Sequence, residues 1–122
     1  MKRILVADDD ELILDLVNAT LSPLGYDVTT VSGGREALQR VESETFDLVI
    51  LDVMMPDLGG IETIIELRRN QPTQSIIVMS GQIPTSGGTL ENLTAKLGAR
   101  ALLAKPFTTD ELSNTVREQI GS

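Results

Sequence analysis

Two kinds of segment alternate along the 122-residue chain. Short apolar runs rich in Val, Ile and Leu fall at Arg3–Ala7, Tyr26–Val31, Asp47–Leu51, Ser75–Met79 and Ala101–Ala104. Near-continuous apolarity over so few residues marks strands covered on both faces, as in a parallel sheet. The stretches between them carry helical spacing. Leu12, Leu16, Ala19 and Leu24 predict a first helix, closed by Pro23 and Gly25. Ala37, Leu38 and Val41 predict a second, after the turn Ser32-Gly33-Gly34, and Ile61, Ile64, Ile65 and Leu67 a third, ending at Asn70-Gln71-Pro72. A fourth is marked by Leu90, Leu93 and Leu97, with Gly98 as its C-terminal cap. The last opens at Thr108-Thr109-Asp110-Glu111, a capping-box start, and carries Leu112, Val116 and Ile120.

Five strands alternating with five helices predict an α/β fold of (βα)5 type, doubly wound around a parallel five-stranded sheet. Hairpins find no support, because no two strand runs are joined by a two-residue turn. Without a linker, a repeat or a low-complexity tail, residues 1–122 read as a single domain. One connection is unusual, the Gly-rich stretch Gly81–Gly88 between the fourth strand and fourth helix.

Composition then narrows the chemistry. The chain has no Cys and no His. A disulfide framework, a thiolate zinc site, a Ser-His-Asp triad and an imidazole base are all excluded. Carboxylates, hydroxyls, amines, backbone groups or a borrowed ion must do the work. With 18 acids against 10 bases the net charge is −8, which argues against direct nucleic-acid binding. No apolar stretch nears the roughly 20 residues that span a bilayer, and the start is too short in apolar residues for a signal peptide. The expectation is a soluble, cytoplasmic protein with no membrane partner.

Ligands of open parallel sheets bind beyond the carboxyl ends of the strands. Asp8, Asp9 and Asp10 follow the first strand run, Asp52 the third, Ser80-Gly81 the fourth and Lys105-Pro106 the fifth. Alone, each has a bland reading: Asp10 as a helix start favoured by the helix dipole, Lys105 as a surface lysine. Together, each at a strand terminus, they form a constellation. Asp8, Asp9 and Asp52 bring three negative charges against the one positive charge of Lys105, and crowded carboxylates repel unless a cation intervenes. Oxygen-only ligands with room for water favour Mg2+ over zinc. A phosphoryl group would then meet a metal, an ammonium, a hydroxyl and loop amides around Asp52, the natural nucleophile for an aspartyl phosphate.

These residues resemble a family. ILVADDDELI, LVILDVMMPDLGGIE, IIVMSG and LLAKPFTTDEL, in this order and spacing, are similar to the receiver domains of two-component response regulators, as is SGGREAL at the second helix. The resemblance implies a flavodoxin-like sheet of strand order 2-1-3-4-5. It implies Asp52 as phosphoacceptor, with Mg2+ held by Asp9, Asp52 and the Met54 carbonyl, and by Asp8 largely through water. Lys105 and the Ser80 hydroxyl would bond the phosphoryl oxygens, the backbone amides of Val53 and Gly81 would complete the cradle, and Lys105-Pro106 would be cis. Two departures stand out: Leu102 occupies a position often aromatic in the family, and Gln82–Gly88 is longer and richer in Gly.

The implied function is a phosphoacceptor switch of a phosphorelay. A histidine kinase or histidine phosphotransfer protein would supply the phosphoryl group, and no enzyme activity beyond the domain's own phosphorylation and dephosphorylation is expected. The fourth helix, fifth strand and fifth helix would then bind a downstream protein or a second receiver. The chain ends soon after the last predicted helix, which suits a stand-alone regulator or a receiver from a longer protein. Two other readings remain open at this point: a haloacid-dehalogenase-like phosphatase built on Asp8 and Asp10 as a D-x-D pair, and a degenerate receiver serving only as an interaction module.

Overall fold

The sheet is organised by the alternation of side chains along its strands. A computed structural model describes residues 1–53, 55, 60–81 and 98–121. Its strands are β1 (Arg3–Ala7), β2 (Asp27–Val31), β3 (Leu48–Asp52), β4 (Ile76–Ser80) and β5 (Ala101–Ala104). They form one sheet in the order β2-β1-β3-β4-β5, and every pairing is parallel. The order foreseen from the resemblance holds. The helices are α1 (Glu11–Leu21), α2 (Gly34–Ser43), α3 (Gly60–Asn70) and α4 (Thr109–Ile120), the fifth in the predicted series. The predicted helix around Leu90–Leu97 and the stretch Gln82–Gly88 lie outside the described residues.

Successive strand residues point to opposite faces, and the two faces bury separate cores. Ile4, Val6, Leu48, Ile50, Ile77 and Met79 face α1 and α4, where they meet Leu14, Val17, Leu112 and Val116. Leu5, Ala7, Val49, Leu51, Ile76 and Val78 face α2 and α3, meeting Ala37, Val41, Ile64 and Leu67. β3 and β4 are buried along their whole length, which is why their sequences show no polar alternation. Each fully buried Leu or Ile contributes about 1.5–3 kcal/mol relative to exposure, so the central strands anchor the sheet.

Helix ends follow local chemistry. Asp10 caps α1 through its side chain, which accepts from the Leu12 N–H. Thr108 and Glu111 form the expected capping box of α4. A single 3-10 turn (Ser22–Leu24) follows α1 and ends at Gly25, whose φ of 99° suits glycine. Gly98, the predicted cap, has a φ of 81°, and a side chain there would meet the Arg68 guanidinium at 3.0 Å.

Two expectations are corrected. The buried face of α1 is Leu14, Val17 and Leu21, whereas Leu12 is 77% exposed and Ala19 is also exposed. The segment ELILDLVNATL carries apolar residues on more than one face, so spacing admitted two helical registers; the Asp10 cap and the sheet selected the other. The third and fourth strands also run one residue further than the apolar runs. Asp52 pairs with Met79 and Ser80 with Ala104, because the ladder continues as long as backbone partners exist, whatever the side chain.

Candidate functional site

That extra residue places the polar groups. Asp52 and Ser80 are the last rungs of the two central strands, held at the carboxyl edge by ladder bonds to their neighbours. Asp8 sits one step past β1, its N–H donating to the Val31 carbonyl at 3.2 Å, and the Lys105 N–H donates to the Ser80 carbonyl at 2.8 Å. Four strands therefore deliver Asp8, Asp52, Ser80 and Lys105 to one rim, as the sequence predicted. The strands themselves set Asp52 and Ser80, and backbone bonds just past the strand ends set Asp8 and Lys105.

The carboxylates are deeply placed. Asp8 is fully buried and Asp52 is 3% exposed, as closed to solvent as the apolar core. Ser80 is buried beside them. The Lys105 ammonium donates to Asp8 Oδ2 at 2.6 Å and to Asp52 Oδ2 at 3.2 Å, with its side chain 17% exposed. Asp8 Oδ1 accepts the Asp10 N–H at 2.9 Å. Asp9, between them in sequence, is exposed to solvent. The peptide bond from Lys105 to Pro106 is cis, as foreseen, and Phe107 beyond it is buried in the core against α4.

The electrostatic balance is unequal. Burial pushes the Asp8 carboxyl above the usual carboxylate range, and the charge of Asp52 adds to this. Bonds from Lys105 and the Asp10 N–H oppose the rise without cancelling it. For Lys105 burial works downward, but the bond to Asp8 and the charges of Asp52 and Asp8 outweigh it and hold the ammonium above the usual lysine range. The charge of one lysine is shared between two buried acids. An ion pair alone would depress Asp8, so the upward direction shows that desolvation dominates there.

The donor set fits a hard divalent cation. Asp8, Asp9 and Asp52 each offer a carboxylate oxygen, all within 4.8 Å of one another. Oxygen ligands alone, partly open to water through Asp9, suit a small hydrated cation rather than a zinc centre. Asp10 plays a different part: its side chain caps α1, so Asp8 and Asp10 do not form the paired acids a D-x-D phosphatase needs. The sequence reading missed its backbone, which ties the turn to Asp8. An acid two residues before that N–H is the Asx-turn signal that could have revealed it.

Of the remaining predicted site residues, Met54 lies outside the described residues. Gly81 is exposed at the rim after β4, with open space where a Cβ would stand. The Val53 N–H donates to the Met79 carbonyl at 3.1 Å. It thus extends the β3–β4 ladder, which sequence could not indicate. Leu102 is half-buried and packs against the core beside α2 and α3.

Fold and site together define a class: a phosphoryl-handling α/β domain with an acidic, metal-competent rim. The chain matches the response regulator receiver domain family over residues 4–117, and it belongs to that family. It is 39% identical over 116 residues to the alkaline phosphatase synthesis transcriptional regulatory protein PhoP of Bacillus subtilis, covering 95% of this chain and 47% of that one. It is 40% identical over 114 residues to a CpxR homolog of Haemophilus influenzae, covering 92% and 47%. The chain spans about half the length of the curated relatives it matches. A CheY-like receiver domain protein of Methanospirillum hungatei superposes with a TM-score of 0.91 at 29% identity, covering 98% of this chain and 94% of that one. The response regulator TrrA of Thermotoga maritima, solved in complex with Mg2+–BeF, gives 0.85 at 34% identity and covers 98% and 99%. The domain is therefore a signalling receiver, a phosphoacceptor switch of two-component systems. Among the described residues, no helix is long and apolar enough to cross a membrane.

Proposed function

We propose that Asp52 is the phosphoacceptor and that residues 1–122 act as one receiver domain. The observation that carries this is the burial of Asp52 beside Asp8 and Lys105, with Asp9 at the open side. A buried carboxylate that shares its lysine with a second acid is placed to gain from a cation, and the same lysine can receive the oxygens of a phosphoryl group. Asp9 and Asp52, with the Met54 carbonyl, would hold Mg2+, the ion in the TrrA complex, and Asp8 would reach it largely through water. When bound, the ion supplies charge stabilisation to the transferring phosphoryl group.

The chain's own residues do the rest. An Asp52 oxygen attacks phosphorus of a phosphohistidine; the new P–O bond forms as the P–N bond breaks, and its electron pair stays on the imidazole nitrogen of the donor. Lys105 balances the charge gained on the phosphoryl oxygens, and the Ser80 hydroxyl donates to one of them. The Gly81 N–H joins the cradle; that of Val53 joins only by giving up or sharing its bond to Met79. Water later attacks phosphorus and regenerates Asp52, so phosphorylation and dephosphorylation are the domain's own chemistry.

The donor is a histidine kinase or histidine phosphotransfer protein in the cytoplasm. Output passes to a downstream protein or second receiver through β5, α4 and the predicted helix around Leu90–Leu97. The acidic receiver itself makes no direct nucleic-acid contact in this reading. Incubation of wild type and Asp52→Ala with a phosphohistidine donor or acetyl phosphate and Mg2+ tests it. One acid-labile phosphoryl group on wild-type Asp52 is expected, with none on the variant. Labelling at Asp8 would favour the phosphatase chemistry, and no labelling a pure interaction module.

A further inference from the structure

Asp8 is buried behind the site, and both of its oxygens are engaged. Oδ1 holds the Asp10 N–H at 2.9 Å, and Oδ2 takes the shorter of the two Lys105 bonds, 2.6 Å against 3.2 Å to Asp52. A hydrated cation approaching from solvent meets the exposed Asp9 first, with Asp8 fully buried. With both oxygens engaged, Asp8 is well placed to hold the lysine.

We infer that Asp8 is a positioning residue that holds the Lys105 ammonium closer to itself than to Asp52, so that Lys105 competes less with the metal for the phosphoacceptor carboxylate. The inference rests on the proposed metal-assisted receiver chemistry and assigns Asp8 a task within it. Without the Asp8 charge, the nearest anionic partner of Lys105 is Asp52. The ammonium then closes on that carboxylate, and a cation must displace it to bind. The negative charge of Asp8 thus serves the metal through the lysine. This arrangement has a distinctive consequence: deleting the lysine should help metal binding more when the Asp8 charge is absent than when it is present.

The test follows backbone amide signals by NMR while Mg2+ is titrated into the full chain as wild type, Asp8→Asn, Lys105→Met and Asp8→Asn/Lys105→Met. Wild type should show saturable shifts at the carboxyl rim. Asp8→Asn should bind about tenfold or more weakly, the scale of losing a partner that orients a ligand, and losing the lysine should strengthen binding more in Asp8→Asn than in wild type. If losing the lysine strengthens binding equally in both backgrounds, Asp8 acts by its own charge or ligation and the inference is overturned. If wild type shows no saturable response, the reading of the site fails instead. A second measurement needs no variant: the coupling between Lys105 Nζ and Asp8 Cγ across their hydrogen bond should persist when Mg2+ saturates wild type. Its disappearance on saturation would equally overturn the assignment.

Discussion

The two edges of the sheet both gather charge, with opposite results. At the amino edge Arg3 bonds Glu44 at 2.5 Å and lies 3.4 Å from Asp27. Its backbone N–H donates to Asp47 and its guanidinium lies over the Phe46 ring. Arg40 adds a second bond to Glu44. Both partners shift in the direction of mutual satisfaction: the bond to Glu44 raises Arg3, and the bonds from Arg3 and Arg40 lower Glu44. At the carboxyl edge the acid shifts the other way, because Asp8 is buried with Asp52 and shares one lysine. Solvent-screened pairs hold a fold together modestly. Buried acids that share one lysine gain from any cation that joins them. The two edges thus differ in what dominates, ion pairing at Glu44 and desolvation at Asp8.

The largest break in this comparison is Asp52→Asn, which should abolish phosphoryl labelling while leaving the amino edge untouched; mass spectrometry of the labelled chain checks it. Lys105→Met comes next. Removing the lysine shared by two buried acids should cost about 3 kcal/mol of metal-free stability near neutral pH, read by denaturant unfolding. A Mg2+ addition that restores much of the loss would sharpen the contrast, whereas an unchanged midpoint would remove it.

The pH response is smaller and has a definite sign. Folded Asp8 binds its proton more tightly than in the unfolded chain, so metal-free stability should rise as pH falls through its raised titration toward the usual carboxylate range. Asp8→Asn should flatten that rise in thermal unfolding followed across pH. The contribution of Lys105 is present below its unfolded value and fades only at strongly alkaline pH, as the raised folded value is passed. Glu44 behaves oppositely to Asp8: its contribution is present above the unfolded value and is lost as acid passes through its lowered one. The smallest effect is expected from Glu44→Gln at neutral pH, a slight drop in the unfolding midpoint that vanishes in 1 M salt, where the Debye length is about 3 Å.

Much of this was legible in the residue pattern. The buried central strands were readable because Leu48–Leu51 and Ile76–Met79 have no polar interruption. Asp52 and Lys105 were readable because a charge directly after such a run must sit at a sheet edge. Less could be read where several solutions shared one pattern. The burial of Leu14 rather than Leu12 turned on a helix start fixed by Asp10. The engagement of the Val53 N–H with Met79, and the division of Lys105 between Asp8 and Asp52, depend on backbone and side-chain geometry that no spacing encodes.

Calorimetric unfolding of wild type and Asp9→Asn at neutral pH, with and without Mg2+, tests the central claim most directly. A ligand that binds only the folded state raises its stability by mass action. The wild-type midpoint should rise with Mg2+ concentration while that of Asp9→Asn stays fixed. A wild-type midpoint that does not respond to Mg2+, or an equal rise in both proteins, would contradict the claim that the acid excess at the carboxyl edge exists to capture a divalent cation.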